Sequence, residues 1–343
     1  MKRSLLALAV LGTFAGVASA QSSVTLFGVM DAAGRYVKND GQGRRVNLAS
    51  GALNTSRIGF RGVEDLGAGL RAAFWLESSI QVDTGFGGGT AQGVTGTFFD
   101  RRATVSLLNP LGELRLGRDL TPSSYSTFTY DPFGVVGLGG SANISRYTSQ
   151  PTYYRASNSI AYLTPSNLGG FFAHVMVSAG EGGAGKYRGG RVGFAAGPFE
   201  IAAASGLADS VAGGSTNFRQ SNIGGTFDFG FVKLFANYNR EELDTPGPDA
   251  EEDRWMVGAT ATFGQSQVKA SYNRTNEKTA LNRDAAHYTV GYVYNLSKRT
   301  AMYSHVSMID NDRGSNFALP SGTPGITPGG KSKGFELGVR HFF

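Results

Sequence analysis

The chain has 343 residues, of which 50 are glycine and none is cysteine. The missing cysteines exclude a disulfide-stapled domain and a thiolate metal site, and the glycines follow no Gly-X-Y period, which excludes collagen. The formal net charge is +6 at pH 7, but the basic residues are not concentrated in one segment, so this charge alone identifies no partner.

The amino terminus has the pattern of a secretory signal. Lys2 and Arg3 precede an apolar run from Leu5 to about Val17, which is followed by small residues up to Ala20. The run is too short to cross about 30 Å of bilayer as an uncleaved anchor. We therefore predict that residues 1–20 are removed, which lowers the formal net charge by two to +4. The remainder, 21–343, shows no linker or composition break and is predicted to be one domain.

From residue 23 onward the sequence reads as strands of about ten residues, joined alternately by short turns and long polar loops. Short turns on one side and long loops on the other are typical of a transmembrane barrel, whereas a soluble sandwich has no reason to keep that asymmetry. The predicted fold is therefore all-β, a transmembrane antiparallel β-barrel of about sixteen strands. The predicted strands are 23–37, 52–64, 69–82, 98–109, 113–120, 152–164, 170–179, 189–197, 199–208, 220–229, 231–242, 253–264, 266–278, 286–296, 300–310 and 333–343.

The side chains within these strands alternate with a period of two, as strands with one apolar and one polar face require. In 286–296 the residues Tyr288, Val290, Tyr292 and Tyr294 share a face. Aromatic residues near strand ends predict girdles at the two membrane interfaces. These residues are Phe27, Tyr36, Phe74, Trp75, Phe98, Phe99, Tyr162, Phe263, Tyr294, Tyr303 and Phe343.

The carboxyl terminus is the strongest single signal for a barrel. One face of the last strand carries Phe335, Leu337, Val339, His341 and Phe343, so this mainly apolar face continues to the last residue. Only helices and closed barrels satisfy their backbones in lipid, so we predict that this strand closes a barrel and acts as its assembly signal. A buried terminal strand of a soluble sandwich is the alternative.

The sequence resembles the general porins of β-proteobacteria. Similar segments occur in order along the mature chain: 23–31 (SVTLFGVMD), 56–67 (SRIGFRGVEDLG), 99–105 (FDRRATV), 116–119 (LGRD), 154–162 (YRASNSIAY) and the end 339–343 (VRHFF). The resemblance implies an outer-membrane barrel exported through the periplasm, usually a homotrimer. It also implies that the third long loop, residues 121–151, folds into the lumen and forms a constriction.

The resemblance places wall arginines opposite this loop, at Arg57, Arg102 and Arg155. Each is out of phase with apolar neighbours in its strand, and an arginine on the lipid face would cost roughly 2–4 kcal/mol at midplane. Arg118 is a fourth candidate. Residues 121–151 contain one acid, Asp131, and one base, Arg146. The wall arginines are therefore expected to be unopposed, and the pore is expected to prefer anions.

The expected function is a water-filled outer-membrane channel for passive diffusion of small anions and hydrophilic solutes, not an enzyme. The expected partners are outer-membrane lipids, lipopolysaccharide and the outer-membrane assembly machinery, with no nucleic acid, cofactor or metal. Two alternative functions for such a barrel are an outer-membrane phospholipase and a surface adhesin. The acidic run 241–253 is interpreted as a solvated external loop, with a site for hard cations as the alternative.

Overall fold

A computed structural model describes residues 23–91, 94–181, 185–209, 216–244, 250–279, 283–312 and 314–343; the predicted signal peptide lies outside these residues. The strands are β1 Ser23–Asn39, β2 Gly43–Ser50, β3 Arg57–Gly67, β4 Leu70–Ser79, β5 Gly89–Ala91, β6 Val94–Thr97, β7 Arg102–Asn109, β8 Gly112–Leu120, β9 Arg155–Leu163, β10 Phe171–Ser178, β11 Tyr187–Ala196, β12 Phe199–Asp209, β13 Asn217–Asp228, β14 Val232–Leu243, β15 Ala250–Phe263, β16 Ser266–Glu277, β17 Ala285–Asn295, β18 Thr300–Asn311 and β19 Lys331–Phe342. One α-helix, α1 Pro122–Thr129, and two short 3₁₀ segments, Gly137–Gly139 and Ser141–Ile144, complete the described elements.

The strands form a closed antiparallel barrel of sixteen strands, which confirms the predicted fold class. Neighbours in the sequence pair as hairpins from β7 through β19, and β19 returns to pair with β1 from Asn39↔Ser332 to Val29↔Phe342. β2 and β3 count as one barrel strand, because both pair with β1, one after the other. Within the described ranges no helix is long and apolar enough to cross a membrane.

The break between β2 and β3 has a specific cause. The buried carboxylate of Asp31 accepts hydrogen bonds from the backbone N–H groups of Leu53 (2.9 Å) and Asn54 (2.6 Å), and from the Tyr303 hydroxyl. The chain between the two strands therefore turns inward around Asp31. The predicted strands 23–37 and 52–64 left residues 38–51 as a loop, and this was wrong, because β2 occupies Gly43–Ser50 and β3 begins only at Arg57.

The alternation in the strands is confirmed where the wall faces lipid. Tyr288 and Val290 are 44% and 58% exposed, while Thr289 between them is buried. Three of the aromatic residues assigned to girdles lie elsewhere. Phe27 and Trp75 contact each other and the guanidinium of Arg61, and Tyr303 is buried against Asp31.

Candidate functional site

The segment after β8 leaves the wall and enters the barrel. Its helix α1 begins with Thr121 as N-cap, whose hydroxyl accepts from the Ser124 N–H (3.4 Å), and Pro122 occupies the first turn, where it needs no N–H partner. Asn222 on β13 donates to the Ser123 carbonyl (2.9 Å). The helix is therefore tied to the inner wall on the side of β10–β14.

Four glycines on the inner wall make room for this loop. A Cβ at Gly224 would lie 2.5 Å from the Tyr130 ring, one at Gly258 2.8 Å from Pro132, one at Gly291 3.0 Å from Phe133, and one at Gly334 2.9 Å from Leu138. Such distances are too short for a side chain. The glycines on β13, β15, β17 and β19 thus form a groove, and successive loop residues lie in it.

Polar contacts anchor the tip of the loop in this groove. The Leu138 carbonyl is 2.9 Å from His287 Nε2 and accepts from the Ser307 hydroxyl (3.0 Å). Glu336 joins the same region, since its carboxylate pairs with Arg35 (2.7 Å) and accepts from the Leu138 N–H.

The returning half of the loop is held by buried charges on β14 and β15. Glu241 accepts from the Tyr153 hydroxyl (2.8 Å) and from the Ser145 hydroxyl (2.6 Å), and pairs with Arg254 (2.8 Å). Glu241 and Glu252 are each 1% exposed. The interpretation of 241–253 as one solvated external loop was therefore wrong for these two residues, which point inward; residues 245–249 of the run lie outside the described residues.

The opposite wall carries the predicted arginines. Arg57, Arg102 and Arg155 line one cavity of about 380 Å³ between the loop and β3, β4 and β7–β11. The same cavity is also lined by Arg101, Arg115 and Arg191, against two carboxylates, Glu77 and Asp119. Just behind this lining, Glu113 pairs with Arg115 (2.8 Å) and Glu200 pairs with Arg191 (3.2 Å). The six arginines therefore exceed the four carboxylates that pair with them by two.

Two backbone carbonyls orient two arginines without neutralising them. Arg155 Nε donates to the Arg101 carbonyl (2.7 Å), and Arg118 Nε donates to the Asp100 carbonyl (2.7 Å). In the described part of the chain neither guanidinium has a carboxylate within ion-pair distance. Arg118 also donates to Ser157 (2.9 Å) and is not among the residues lining the cavity.

The expectation that the wall arginines are unopposed was wrong for most of them. Glu77 lies 2.6 Å from Arg101 Nε and 3.6 Å from Arg57 Nη1, and Asp119 lies 3.6 Å from Arg102 Nε. These carboxylates come from the wall itself, not from the loop. Arg155 is the one cavity arginine in the described ranges that forms no ion pair.

The structure does not bring Asp131 and Arg146 to this cluster. The Asp131 carboxylate is buried in the loop and accepts from the N–H groups of Phe133 (2.7 Å), Ser141 (2.9 Å) and Val135 (3.2 Å). Burial raises the pKa of Asp131 above its ordinary value, and these N–H groups oppose the shift. Arg146 lies 3.8 Å from Glu252 and covers the ring of Phe317 at 4.3 Å. Both residues hold the loop in place.

Two residues that line the cavity were not selected from the sequence, although their place in the strand alternation indicates that they face the lumen. Glu77 is out of phase with Phe74 and Leu76, and Arg115 is out of phase with Leu114 and Leu116, so the same reasoning indicates that both face the lumen. Arg101 could not be found this way, because within the predicted strand 98–109 it is in phase with the apolar Ala103 and Val105, whereas β7 begins only after it, at Arg102. Among the described residues, no group of three or more histidines and carboxylates is arranged to hold a metal ion.

Comparison with known proteins agrees with this architecture. Residues 7–314 match the family model described as Gram-negative porin. The chain is 38% identical to Outer membrane porin protein 32 of Delftia acidovorans and 30% identical to an outer membrane porin protein of Bordetella pertussis, in both cases over the full length of both chains. Its structure is similar to that of an anion-selective porin from Comamonas acidovorans, with a TM-score of 0.86, 35% identity, and coverage of 94% of this chain and 100% of the other.

Proposed function

Because the chain belongs to the Gram-negative porin family, we propose that its pore prefers anions and that Arg57, Arg102 and Arg155 set this preference. The protein is an outer-membrane channel for passive diffusion of ions and small hydrophilic solutes, and it is not an enzyme. The family match favours this channel over the phospholipase and adhesin alternatives.

The observation that carries the anion preference is the charge at the cavity, where six arginines face two lining carboxylates and two more that lie behind the lining. Charges interact several times more strongly at an effective dielectric near ~20 than in bulk water, and rings of one charge sign select ions in a narrow pore. Anions are therefore concentrated beside the arginine wall and cations are repelled. The similar porin of known structure, described as anion-selective, supports the same sign.

The test is the reversal potential of the purified protein in a planar bilayer with a KCl gradient. We expect an anion-selective sign at low salt, and a weaker preference as salt rises, because the Debye length falls to about 3 Å at 1 M. A cation-selective channel would contradict the proposal.

We further propose that the channel is a homotrimer. The outward side chains of the first barrel strands include Val24, Leu26, Val105 and Leu107, which are 65%, 52%, 52% and 47% exposed. These apolar residues suit either lipid or a second copy, and the family resemblance favours the second copy. Cross-linking in mild detergent should trap a trimer, and Val105→Arg should reduce its yield. Monomers alone at every protein concentration would contradict this assembly.

The outer end of the barrel offers a surface for lipopolysaccharide. Lys38 on β1 lies directly across from Arg44 on β2 and from Lys333 on β19. All three are exposed, and none forms an ion pair with a described residue. Like charges directly opposite one another repel, so the phosphate groups of lipopolysaccharide would stabilise this row. Replacing Lys38 and Lys333 by glutamine should reduce the lipopolysaccharide that copurifies with the protein; an unchanged amount would contradict this contact.

A further inference from the structure

The cavity that carries the arginines also has an aromatic side. Trp75, Tyr125 and Phe172 line it together with Leu120 and Leu163. The guanidinium of Arg102 lies 4.6 Å from the Trp75 ring, and that of Arg191 lies 4.6 Å from the Phe172 ring. Arginine and aromatic faces therefore lie side by side in one cavity. A small inorganic anion would use only the arginines.

Tyr125 is the aromatic residue best placed to contact a passing solute. It lies in the middle of α1, and it is 47% exposed inside the barrel. Its hydroxyl forms no hydrogen bond with any described residue, so no hydrogen bond within the described chain requires a tyrosine here. One side of the ring meets Arg191, whose guanidinium carbon lies 5.1 Å from the ring centroid.

Arg155 lines the same cavity as Tyr125. Its Nε donates a hydrogen bond to the Arg101 carbonyl, and its guanidinium forms no ion pair with any described residue. An arginine whose terminal nitrogens are free suits a carboxylate, which it can bind through two parallel hydrogen bonds. A half-exposed ring suits a planar aromatic body, which gains from ring contacts beyond the area that it buries.

We propose that the constriction favours aromatic monocarboxylates over saturated carboxylates of the same charge and similar size. The carboxylate is held by Arg155 with the neighbouring arginines, and the ring lies against Tyr125. This inference rests on the proposed anion preference and adds a solute class to it.

The experiment measures how strongly benzoate and cyclohexanecarboxylate each reduce the chloride current of the purified channel in a planar bilayer. The two anions carry the same charge and differ in the aromatic ring. Benzoate should halve the current at a concentration roughly two- to tenfold lower than cyclohexanecarboxylate, as expected for one aromatic contact. Tyr125→Phe should keep this difference and Tyr125→Leu should remove most of it.

The outcomes separate this inference from the anion preference. Equal block by the two acids, with an anion-selective reversal potential in KCl, would overturn the aromatic preference alone. A difference that persists in Tyr125→Leu would overturn the role of Tyr125. A cation-selective reversal potential in KCl would overturn the proposed function first.

Discussion

Single residues decide how much positive charge reaches the lumen. Arg155 is fixed through Nε by a carbonyl, which has no net charge, whereas Arg101 is fixed by the carboxylate of Glu77. The two residues therefore contribute differently to the field, although both line the cavity. Pairing by a wall carboxylate reduces the field, and pairing by a carbonyl leaves it intact.

Glu77 should weaken the anion preference, because its carboxylate faces Arg57 and Arg101. Removing a unit charge about 10 Å from the ion path changes the potential there by roughly 0.6 kcal/mol, at an effective dielectric near ~20 with screening at 0.1 M salt. Glu77→Gln keeps an oxygen that can accept from the Trp75 N–H (3.1 Å in the wild type). We expect its anion-to-cation permeability ratio, measured as a reversal potential, to rise roughly sevenfold, because the anion gains and the cation loses a factor of about 2.7 each. A shift toward cations would contradict the assignment.

Asp131 should matter for the position of the loop. Asp131→Ala removes the acceptor of three backbone N–H groups, and each buried donor left without a partner costs roughly 1–3 kcal/mol. We expect a noisier open channel and faster proteolysis of the loop, with Asp131→Asn intermediate because it keeps one acceptor oxygen. A quiet, protease-resistant alanine variant would show that these hydrogen bonds do not hold the loop.

At the level of elements, the loop and the wall fit each other through the glycine groove. The loop residues Tyr130, Pro132, Phe133 and Leu138 lie where a side chain on the facing strand would collide with them. The width of the pore therefore depends on the glycines of the wall behind the loop as well as on the loop itself.

Filling this groove should push the loop toward the arginine wall. At Gly258 a Cβ would meet Pro132 and the Ala270 carbonyl of the neighbouring strand, both at 2.8 Å, so Gly258→Ala should lower the single-channel conductance. Gly34→Ala is the matched control, because Gly34 is exposed on the outer face and its Cβ would meet nothing closer than 4.0 Å. Equal conductance in the two variants would contradict the role of the groove.

The elements show what could be predicted from the sequence. Alternation and loop lengths predicted most strands, since one face of each meets lipid and the other meets polar groups. β2 was missed because its apolar alternation is short: only Val46 and Leu48 share an outward apolar face, and Gly43, Arg44 and Arg45 precede them. The break after it depends on Asp31, which is a long-range contact without a local signal.

Alternation predicted that Arg155 faces the lumen. The residue does line the cavity, but the strand does not alternate regularly up to it. The ladder between β8 and β9 shifts by one residue near Asn158, which has a φ of 55°. Asp119 is thus paired with Ala156, and Arg155 is paired with Leu120 at the last rung of the ladder. Arg155 and Leu120 both line the cavity because the wall ends there. A bulge of this kind changes which residues share a face, and the sequence does not show it.

For the whole molecule, the last residue closes the barrel. Phe343 exchanges backbone hydrogen bonds with Gly28 (3.0 and 3.2 Å), and its ring occupies the space where a side chain at Gly28 would lie. Phe335, Leu337 and Val339 face outward, and His341 Nδ1 lies 2.9 Å from the Thr300 hydroxyl. These positions suit the predicted assembly signal.

Deleting Phe343 should therefore impair assembly in the cell. The deletion removes both closing hydrogen bonds and the ring, so we expect less of the heat-modifiable, folded form in outer-membrane fractions. Phe343→Trp is the control, because it keeps an aromatic terminus. Unchanged assembly of the deletion variant would contradict both the closing role and the signal.

The central claim is that arginine charge on the wall opposite the loop makes the channel prefer anions. The most direct test is the reversal potential in a KCl gradient of a variant that combines Arg57→Ser, Arg102→Ser and Arg155→Ser, compared with the matched triple lysine variant and the wild type. We predict that the serine variant moves furthest toward cation selectivity, while the lysine variant, which keeps all three charges, stays on the anion side. A serine variant indistinguishable from the wild type would contradict the account.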